Sequence, residues 1–238
     1  MLPIAARIRA AAALPLAAAF LLAALAVPAQ AAAPAPAAAP APAAASPSAP
    51  PASSDKASTI LARAAGDPAQ ARVLAEEGGK AAFFCANCHG DGGISRYPEV
   101  PNLAAQNPAY LLGQIEAFLS GRRKDEFMQG LMKVLSERDK AAIASYYAAA
   151  RPLPSGPPGT ARGAELFAQL CATCHQPDAR GAETFPRLAG QQPEYIRRSL
   201  RRYLTQSGER IYAPMTAAVT RLGAQNIDTM ADYLAGLK

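Results

Sequence analysis

The sequence predicts an all-α protein made of two similar domains in tandem, and two observations lead to this prediction. The second half of the chain repeats the first at an offset of 85 to 87 positions, which indicates two copies of one structural unit. In both halves apolar residues recur at the spacing of amphipathic helices, and no convincing alternation with a period of two predicts a strand. The 238-residue chain is therefore expected to fold into two small helical domains.

The repeat runs through most of each half. Its clearest pairs are residues 101–106 with 186–191, 107–110 with 192–195, 121–123 with 208–210, Met128 with Met215, and 144–146 with 231–233. Between the two copies, residues 151–158 contain four prolines and cannot continue a helix, so we expect an inter-domain linker there. The predicted domains are then residues 57–150 and 159–238.

Local signals predict where the helices of each copy begin and end. Asp67 followed by Pro68 is typical of a helix start, and Pro108 is another. Ser136 is a typical N-cap for the last helix of the first copy. Loops rich in Gly, Asp and Pro are expected between the helices, and Met128 and Met215 are each expected in such a loop. The predicted helices cover about 68–84, 108–119 and 137–149 in the first copy, and about 160–170, 193–205 and 224–237 in the second.

Residues 1–31 predict a signal peptide for export to the periplasm. Arg7 and Arg9 give a basic start, an apolar stretch follows, and residues 29–31 form an A-x-A cleavage site. The apolar stretch is nearly long enough to span a bilayer, so an uncleaved membrane tether is the alternative. Residues 32–56 are almost entirely Ala, Pro and Ser and predict a disordered tether, since they offer too little apolar surface to form a core.

Two five-residue motifs carry the chemistry of the chain. Every cysteine and histidine lies in one of them, Cys85-Ala86-Asn87-Cys88-His89 or Cys171-Ala172-Thr173-Cys174-His175. A C-x-x-C-H run is typical of c-type haem attachment, with two thioether bonds and a histidine ligand to the iron. A zinc site would need closer cysteine pairs, and a redox dithiol does not need the histidine. We therefore predict two haem c groups, bound covalently by Cys85, Cys88, Cys171 and Cys174 and ligated by His89 and His175.

Methionine is the candidate for the second axial ligand of each iron, because no histidine is left. Met128 and Met215 occupy equivalent positions, 39 and 40 residues after the motif histidines. A Met/His pair is typical of cytochromes c and raises the reduction potential. Met132 is a rival in the first copy, but Val219 takes its place in the second, and Met230 is expected in the core. The alternative is that Met128 and Met215 also fill gaps in the core.

Further residues are candidates for contacts around the haems. A backbone carbonyl at Pro101 and at Pro186 is placed to accept the other ring N–H of each histidine. Arginine and tyrosine side chains at equivalent positions are candidates for propionate contacts, with surface or core placement as the alternative. These side chains are Arg123, Arg210, Tyr110 and Tyr195.

The two halves differ in charge. Residues 57–150 carry ten Lys and Arg and ten Asp and Glu, whereas residues 151–238 carry eleven and seven, a net charge of +4. This excess favours an acidic protein partner or an anionic membrane surface, and a solvated helix face is the alternative. Nucleic acid is not expected, because the basic residues lack interleaved aromatic residues. The excess is concentrated in Arg197, Arg198, Arg201 and Arg202.

With these motifs in place, the chain resembles the class I cytochromes c, and specifically the dihaem cytochrome c4 family. The resemblance covers about residues 70–238. It implies an all-α fold of two tandem cytochrome c domains, each with about four to five helices wrapped around one covalently bound haem, related by pseudo-twofold symmetry. It also implies a periplasmic electron carrier between a cytochrome bc complex and a terminal oxidase. The long Ala/Pro tether departs from the family pattern and leaves membrane attachment open.

Two other functions are weighed against the electron carrier. A dihaem peroxidase needs an iron with an open face and polar groups that assist O–O cleavage, whereas this chain offers a methionine in each half and no spare histidine. A haem subunit docked to a dehydrogenase or oxidase needs the same haems as a free carrier, so the sequence does not separate these two. The sequence therefore predicts electron transfer without turnover of a substrate.

Overall fold

The computed structural model describes residues 55–238, and the repetitive structure in this part of the chain is helical. The predicted signal peptide, residues 1–31, and most of the predicted tether, residues 32–56, lie outside the described residues. Short 3-10 turns lie at Asp91–Gly93 and Ala224–Asn226. The helices are α1 Ala57–Ala65, α2 Pro68–Ala81, α3 Ala86–His89, α4 Pro108–Leu119, α5 Glu126–Lys133, α6 Glu137–Ala149, α7 Ala161–Leu170, α8 Ala172–His175, α9 Pro193–Thr205, α10 Ala213–Leu222 and α11 Ile227–Ala235.

Two N-caps that the sequence predicts are confirmed. The Asp67 carboxylate accepts hydrogen bonds from the backbone N–H of Ala69 at 2.9 Å and of Gln70 at 3.3 Å, and these bonds lower its pKa. Ser136 and Asp139 form a capping box at the start of α6. Such bonds satisfy N–H groups that have no partner inside the helix. Pro108 and Pro193 begin their helices as predicted.

In each half, the helix before the haem motif crosses the last helix of that half at a glycine. A Cβ on Gly78 of α2 would lie 2.0 Å from the carbonyl oxygen of Ala142 on α6. A Cβ on Gly163 of α7 would lie 2.4 Å from Cβ of Tyr233 on α11. The absence of a side chain lets the two helices approach closely, so the same crossing is built in both halves.

Three features of the fold differ from the sequence prediction. Met128 and Met215 lie in the short helices α5 and α10, not in loops. The side chain of Asp125 caps α5 by accepting a hydrogen bond from the N–H of Met128 at 3.0 Å, and Pro214 lies in the first turn of α10.

The other two differences concern the ends of the halves. Helix α1 was not predicted, although Ala57, Ile60 and Ala64 are buried at helical spacing. The expected last helix over about 224–237 is a 3-10 turn followed by α11.

Two glutamines join the halves reciprocally. The side chain of Gln106 accepts from the backbone N–H of Arg187 at 2.7 Å and donates to its carbonyl at 3.0 Å. Gln191 accepts from the N–H of Asn102 at 2.7 Å and donates to its carbonyl at 3.0 Å. Because Gln106 is equivalent to Gln191 and Asn102 to Arg187, the two halves are related by a pseudo-twofold axis. We call these two pairs the glutamine clasp.

None of the helices described between residues 55 and 238 is long and apolar enough to cross a bilayer.

Candidate haem sites

Each C-x-x-C-H motif lies on a short helical turn that brings its first cysteine and its histidine together. The N–H of His89 donates to the carbonyl of Cys85 at 2.9 Å, and the N–H of His175 donates to the carbonyl of Cys171 at 3.0 Å. Residues four apart lie on the same face of a helix. The motif backbone is therefore arranged in the same way in both halves.

Both histidines are buried and held through Nδ1. His89 Nδ1 lies 2.9 Å from the carbonyl oxygen of Pro101, and His175 Nδ1 lies 3.0 Å from that of Pro186, as the sequence predicted. A proton on Nδ1 that is donated to a carbonyl leaves Nε2 free to ligate iron. Burial lowers the pKa of both imidazoles, although the carbonyl partners oppose this shift. The neutral ligand form is therefore favoured at both sites.

The first cysteine of each motif packs against the core of its half. Cys85 contacts the cluster around Leu111 and Ile143, and Cys171 contacts the cluster of the second half. Burial raises the pKa of the Cys85 thiol and raises that of Cys171 to about 11. Cys174 is exposed. In the second half, one sulfur at the edge of the core and a second, more accessible one fit attachment along one side of a group that completes the core.

The four predicted propionate residues come together between the two halves. Arg210 donates to the hydroxyl oxygen of Tyr110 at 2.6 Å, and Arg123 donates to that of Tyr195 at 3.0 Å. Each arginine thus reaches a tyrosine of the other half. Both guanidinium groups also donate to the side-chain oxygen of Gln114, at 2.8 Å from Arg123 and 3.3 Å from Arg210. We call these five residues the arginine–tyrosine cluster.

The arginine–tyrosine cluster has the electrostatics of an anion site. Within residues 55–238, no carboxylate lies in ion-pair distance of Arg123 or Arg210. Burial alone would raise the pKa of Tyr195, but the two guanidinium groups outweigh it and lower the pKa below its usual value. Two partly buried cations without a carboxylate fit negatively charged groups such as haem propionates. The donor set therefore fits haem.

The two methionines occupy equivalent, partly buried positions. Met128 packs against the cluster of Ile115, Phe118 and Met132, and Met215 packs against the core of the second half. Met132 is 6% exposed and the equivalent Val219 is 2% exposed, so this position fills the core in both halves. The core placement of Met230 is confirmed, at 1% exposure. Ligation of iron by Met128 and Met215 stays a prediction.

The basic cluster on α9 is partly neutralised by the protein itself. Arg197 donates to the carboxylate of Asp228 at 2.9 Å. Arg202 forms an ion pair with Glu209. Salt bridges at a surface contribute little to stability, but they offset charge that would otherwise face a partner. The four arginines of α9 therefore present less free positive charge to a partner than their number indicates.

Two C-x-x-C-H motifs, each on a helical turn with a buried histidine held by a carbonyl, are typical of a dihaem c-type cytochrome, and comparison with known proteins agrees. A family model described as Cytochrome c matches residues 160–238. Cytochrome c4 from Pseudomonas aeruginosa is 33% identical over 193 residues, which cover 75% of this chain and 92% of that protein. The chain belongs to the cytochrome c4 family. It is an electron-transfer cytochrome with two haem c groups.

Two further relatives extend the comparison. The solved structure of cytochrome c4 from Acidithiobacillus ferrooxidans matches with a TM-score of 0.59 and 31% identity, covering 64% of this chain and 98% of that one. A protein from Thiomonas intermedia described as a thiosulfate dehydrogenase electron acceptor is 31% identical, covering 65% of this chain and 78% of that protein. The first comparison supports the fold of both halves together.

Sequence reasoning did not assign roles to several residues at these sites. Gln106 and Gln191 belong to the repeated Pro-x-Leu-Ala-x-Gln segments, so their recurrence was a signal for a shared role. The sequence gives no sign of the role of Gln114, because this residue meets Arg210 only when the two halves pack together.

Proposed function

We propose that the protein is a periplasmic carrier of single electrons in a respiratory chain, with a cytochrome bc complex as donor and a terminal oxidase as acceptor. The observation that carries the proposal is the duplicated pair of His89 with Met128 and His175 with Met215, on the same elements of both halves. The predicted signal peptide, residues 1–31, supports export. The net charge of +4 over residues 151–238 favours an acidic partner or an anionic membrane surface.

The residues of the chain orient the histidine ligands of the haems and supply the second axial ligands. Haem held by the two motifs supplies one-electron iron chemistry. The carbonyls of Pro101 and Pro186 hold the imidazoles so that Nε2 of each is the ligating atom. We assign the second axial position to Met128 and Met215, and a thioether ligand favours the reduced state and raises the potential.

We assign the arginine–tyrosine cluster to the haem propionates. Its two guanidinium groups would neutralise carboxylates that are withdrawn from water, and its two phenols would donate hydrogen bonds to them. Residues of both halves contribute to the cluster, as the contact from Arg210 to Tyr110 shows. The propionates of both haems would then share one electrostatic environment.

We infer that the protein turns over no substrate. Histidine on one face and methionine on the other would fill both axial positions of each iron, whereas a peroxidase requires an open face. Spectra of the oxidised protein should show low-spin iron at both sites and the near-infrared charge-transfer band of methionine-ligated ferric haem. A high-spin signal from either haem in the fully assembled protein would contradict the double His/Met assignment.

A second candidate is a haem subunit that accepts electrons while docked to a dehydrogenase. It is favoured by the similarity to the Thiomonas intermedia protein that is described as an electron acceptor of thiosulfate dehydrogenase. Both candidates use the same haems, so only the partner distinguishes them.

The partner is tested by stopped-flow measurement with the mature dihaem protein. Its rates of reduction by a purified cytochrome bc complex and by a thiosulfate dehydrogenase are compared, followed by its oxidation by a terminal oxidase. We expect fast reduction by the bc complex, fast oxidation by the oxidase and rates that fall as salt is added. Fast reduction by the dehydrogenase together with co-elution in gel filtration would support the docked subunit instead. The mass of the periplasmic protein tests cleavage after residue 31.

A further inference from the structure

Tyr147 carries a buried hydroxyl group that the protein does not satisfy. The residue lies on α6 and is 1% exposed. Across residues 55–238, its hydroxyl is the buried side-chain polar group that has no hydrogen-bond partner. Buried hydroxyl groups are almost always hydrogen-bonded, because losing water without gaining a partner costs free energy. The missing partner is therefore expected outside the polypeptide.

The surroundings of Tyr147 place this hydroxyl in the core that the first haem completes. The ring belongs to the cluster of Leu111 and Ile143, against which Cys85 packs. A Cβ on Gly93 would lie 2.8 Å from the ring, so the glycine after the motif makes room for it. Tyr147 also accepts at its backbone carbonyl from the N–H of Ala105, 2.8 Å away, beyond Pro101 in the same loop. Tyr147 thus lies between the attachment motif and the segment that holds the histidine.

The hydroxyl is available as a donor. Burial, with smaller contributions from Cys85, Tyr146 and Asp91, raises the pKa of Tyr147 above its usual value. A phenol that stays protonated can donate a hydrogen bond but carries no charge. The adjacent Tyr146 differs, because its hydroxyl already accepts from the N–H of Gly92 at 3.2 Å.

The second half has no such group. Tyr146 is equivalent to Tyr233 in the repeat, so Tyr147 is equivalent to Leu234. Leu234 is 2% exposed and fills the same core position with a side chain that has no polar atom. The hydroxyl is therefore a difference between two otherwise matched haem sites.

We propose that Tyr147 donates a hydrogen bond to the haem group held by Cys85 and Cys88, and that this bond raises the reduction potential of the first haem relative to the second. A donor beside a haem stabilises the reduced form, which carries more negative charge than the oxidised form. The proposal rests on haem attachment at these cysteines and is independent of which proteins donate or accept the electrons. Tyr147 acts as a tuning residue and not as an iron ligand.

The test is a potentiometric titration of the mature dihaem protein and of its Tyr147→Phe variant. The substitution keeps the ring and removes only the hydroxyl. We expect one of the two midpoint potentials to fall, with a threefold to tenfold change in the reduction equilibrium of that haem, where tenfold corresponds to about 59 mV for one electron. The Met215→Ala variant, which displaces the potential of the second haem, identifies which of the two belongs to the first.

Tyr233→Phe is the matched control, because it removes a phenol from the same helix of the second half. It should leave both potentials in place. The melting temperature of the Tyr147→Phe holoprotein should fall only slightly, since the proposed bond to the haem is lost and no hydrogen bond between two groups of the polypeptide is. Unchanged potentials in Tyr147→Phe, or equal shifts of both potentials, would overturn the proposal. A mass that lacks two haems would instead overturn the proposed haem attachment itself, so the two failures are distinguishable.

Discussion

The two halves share one framework and differ in what surrounds it. Both hold the motif histidine by a proline carbonyl and cross two helices at a glycine, at Gly78 and at Gly163. The first half adds α1 over its last helix, has no net charge over residues 57–150 and contains Tyr147. The second half is basic and has one continuous core. The repeated residues therefore hold the two motif histidines in the same way, whereas the unmatched residues can make the two haems differ.

The largest effect should come from removing either axial methionine. We expect Met128→Ala to lower the potential of the first haem and Met215→Ala that of the second, each by at least about a hundredfold in the reduction equilibrium, because a thioether ligand favours ferrous iron. Potentiometric titration measures both potentials. Met132→Leu is the control, since this buried neighbour should affect stability and leave the potentials unchanged. A shift of both haems in either single variant would show that the ligand sets are not independent.

The next largest effect should be on the free energy of unfolding, when a methyl group is added at the glycines where two helices cross. Gly78→Ala should destabilise the protein by about 3 kcal/mol, because its Cβ would meet the backbone carbonyl of Ala142, which cannot move aside. Gly163→Ala should cost about 2 kcal/mol, since its closest contact is the side chain of Tyr233. Gly113 on α4 has open space around it, so Gly113→Ala should stabilise by about 0.5–1 kcal/mol. Denaturant unfolding of the holoprotein gives these values, and equal costs at all three positions would refute the steric explanation.

The smallest predicted effect is on the free energy of unfolding and concerns the glutamine clasp, whose two glutamines should contribute equally. Gln106→Ala and Gln191→Ala should each cost about 1–2 kcal/mol, because each leaves a buried backbone N–H and carbonyl of the other half without a partner. The two costs should be alike, and the double variant should unfold in two transitions as the halves separate. Scanning calorimetry measures both. A single sharp transition in the double variant would mean that other contacts couple the halves.

Local chemistry explains which elements could be predicted from the sequence. Pro108, Pro193 and Ser136 set helix starts correctly, because a proline in the first turn and a serine N-cap act within a few residues. The motif histidines and their carbonyl partners could also be predicted, since the spacing to Pro101 and Pro186 is short and is repeated.

The missed elements depend on packing across the fold. Helix α5 is short and relies on the cap from Asp125, and α1 is held by burial of Ile60 against other helices, which its sequence alone does not show. Gln106 binds a backbone 81 positions away, and the isolation of the Tyr147 hydroxyl is apparent only once its neighbours are in place. The repeat indicated Arg123 and Tyr195 as candidate site residues, but their contact with each other depends on how the two halves pack and was not predicted.

The glutamine clasp has a consequence for how the two-domain chain is held together. Its contacts are isologous, since the same patch of each copy binds the same patch of the other, as in a twofold homodimer. The predicted linker of residues 151–158 would keep the copies at a high effective concentration, so an association too weak for separate chains would suffice within one chain. The two halves are therefore arranged like the subunits of a twofold dimer within one chain. Two copies in one chain can differ at single positions and still bind each other. Tyr147, at the position equivalent to Leu234, is one such difference.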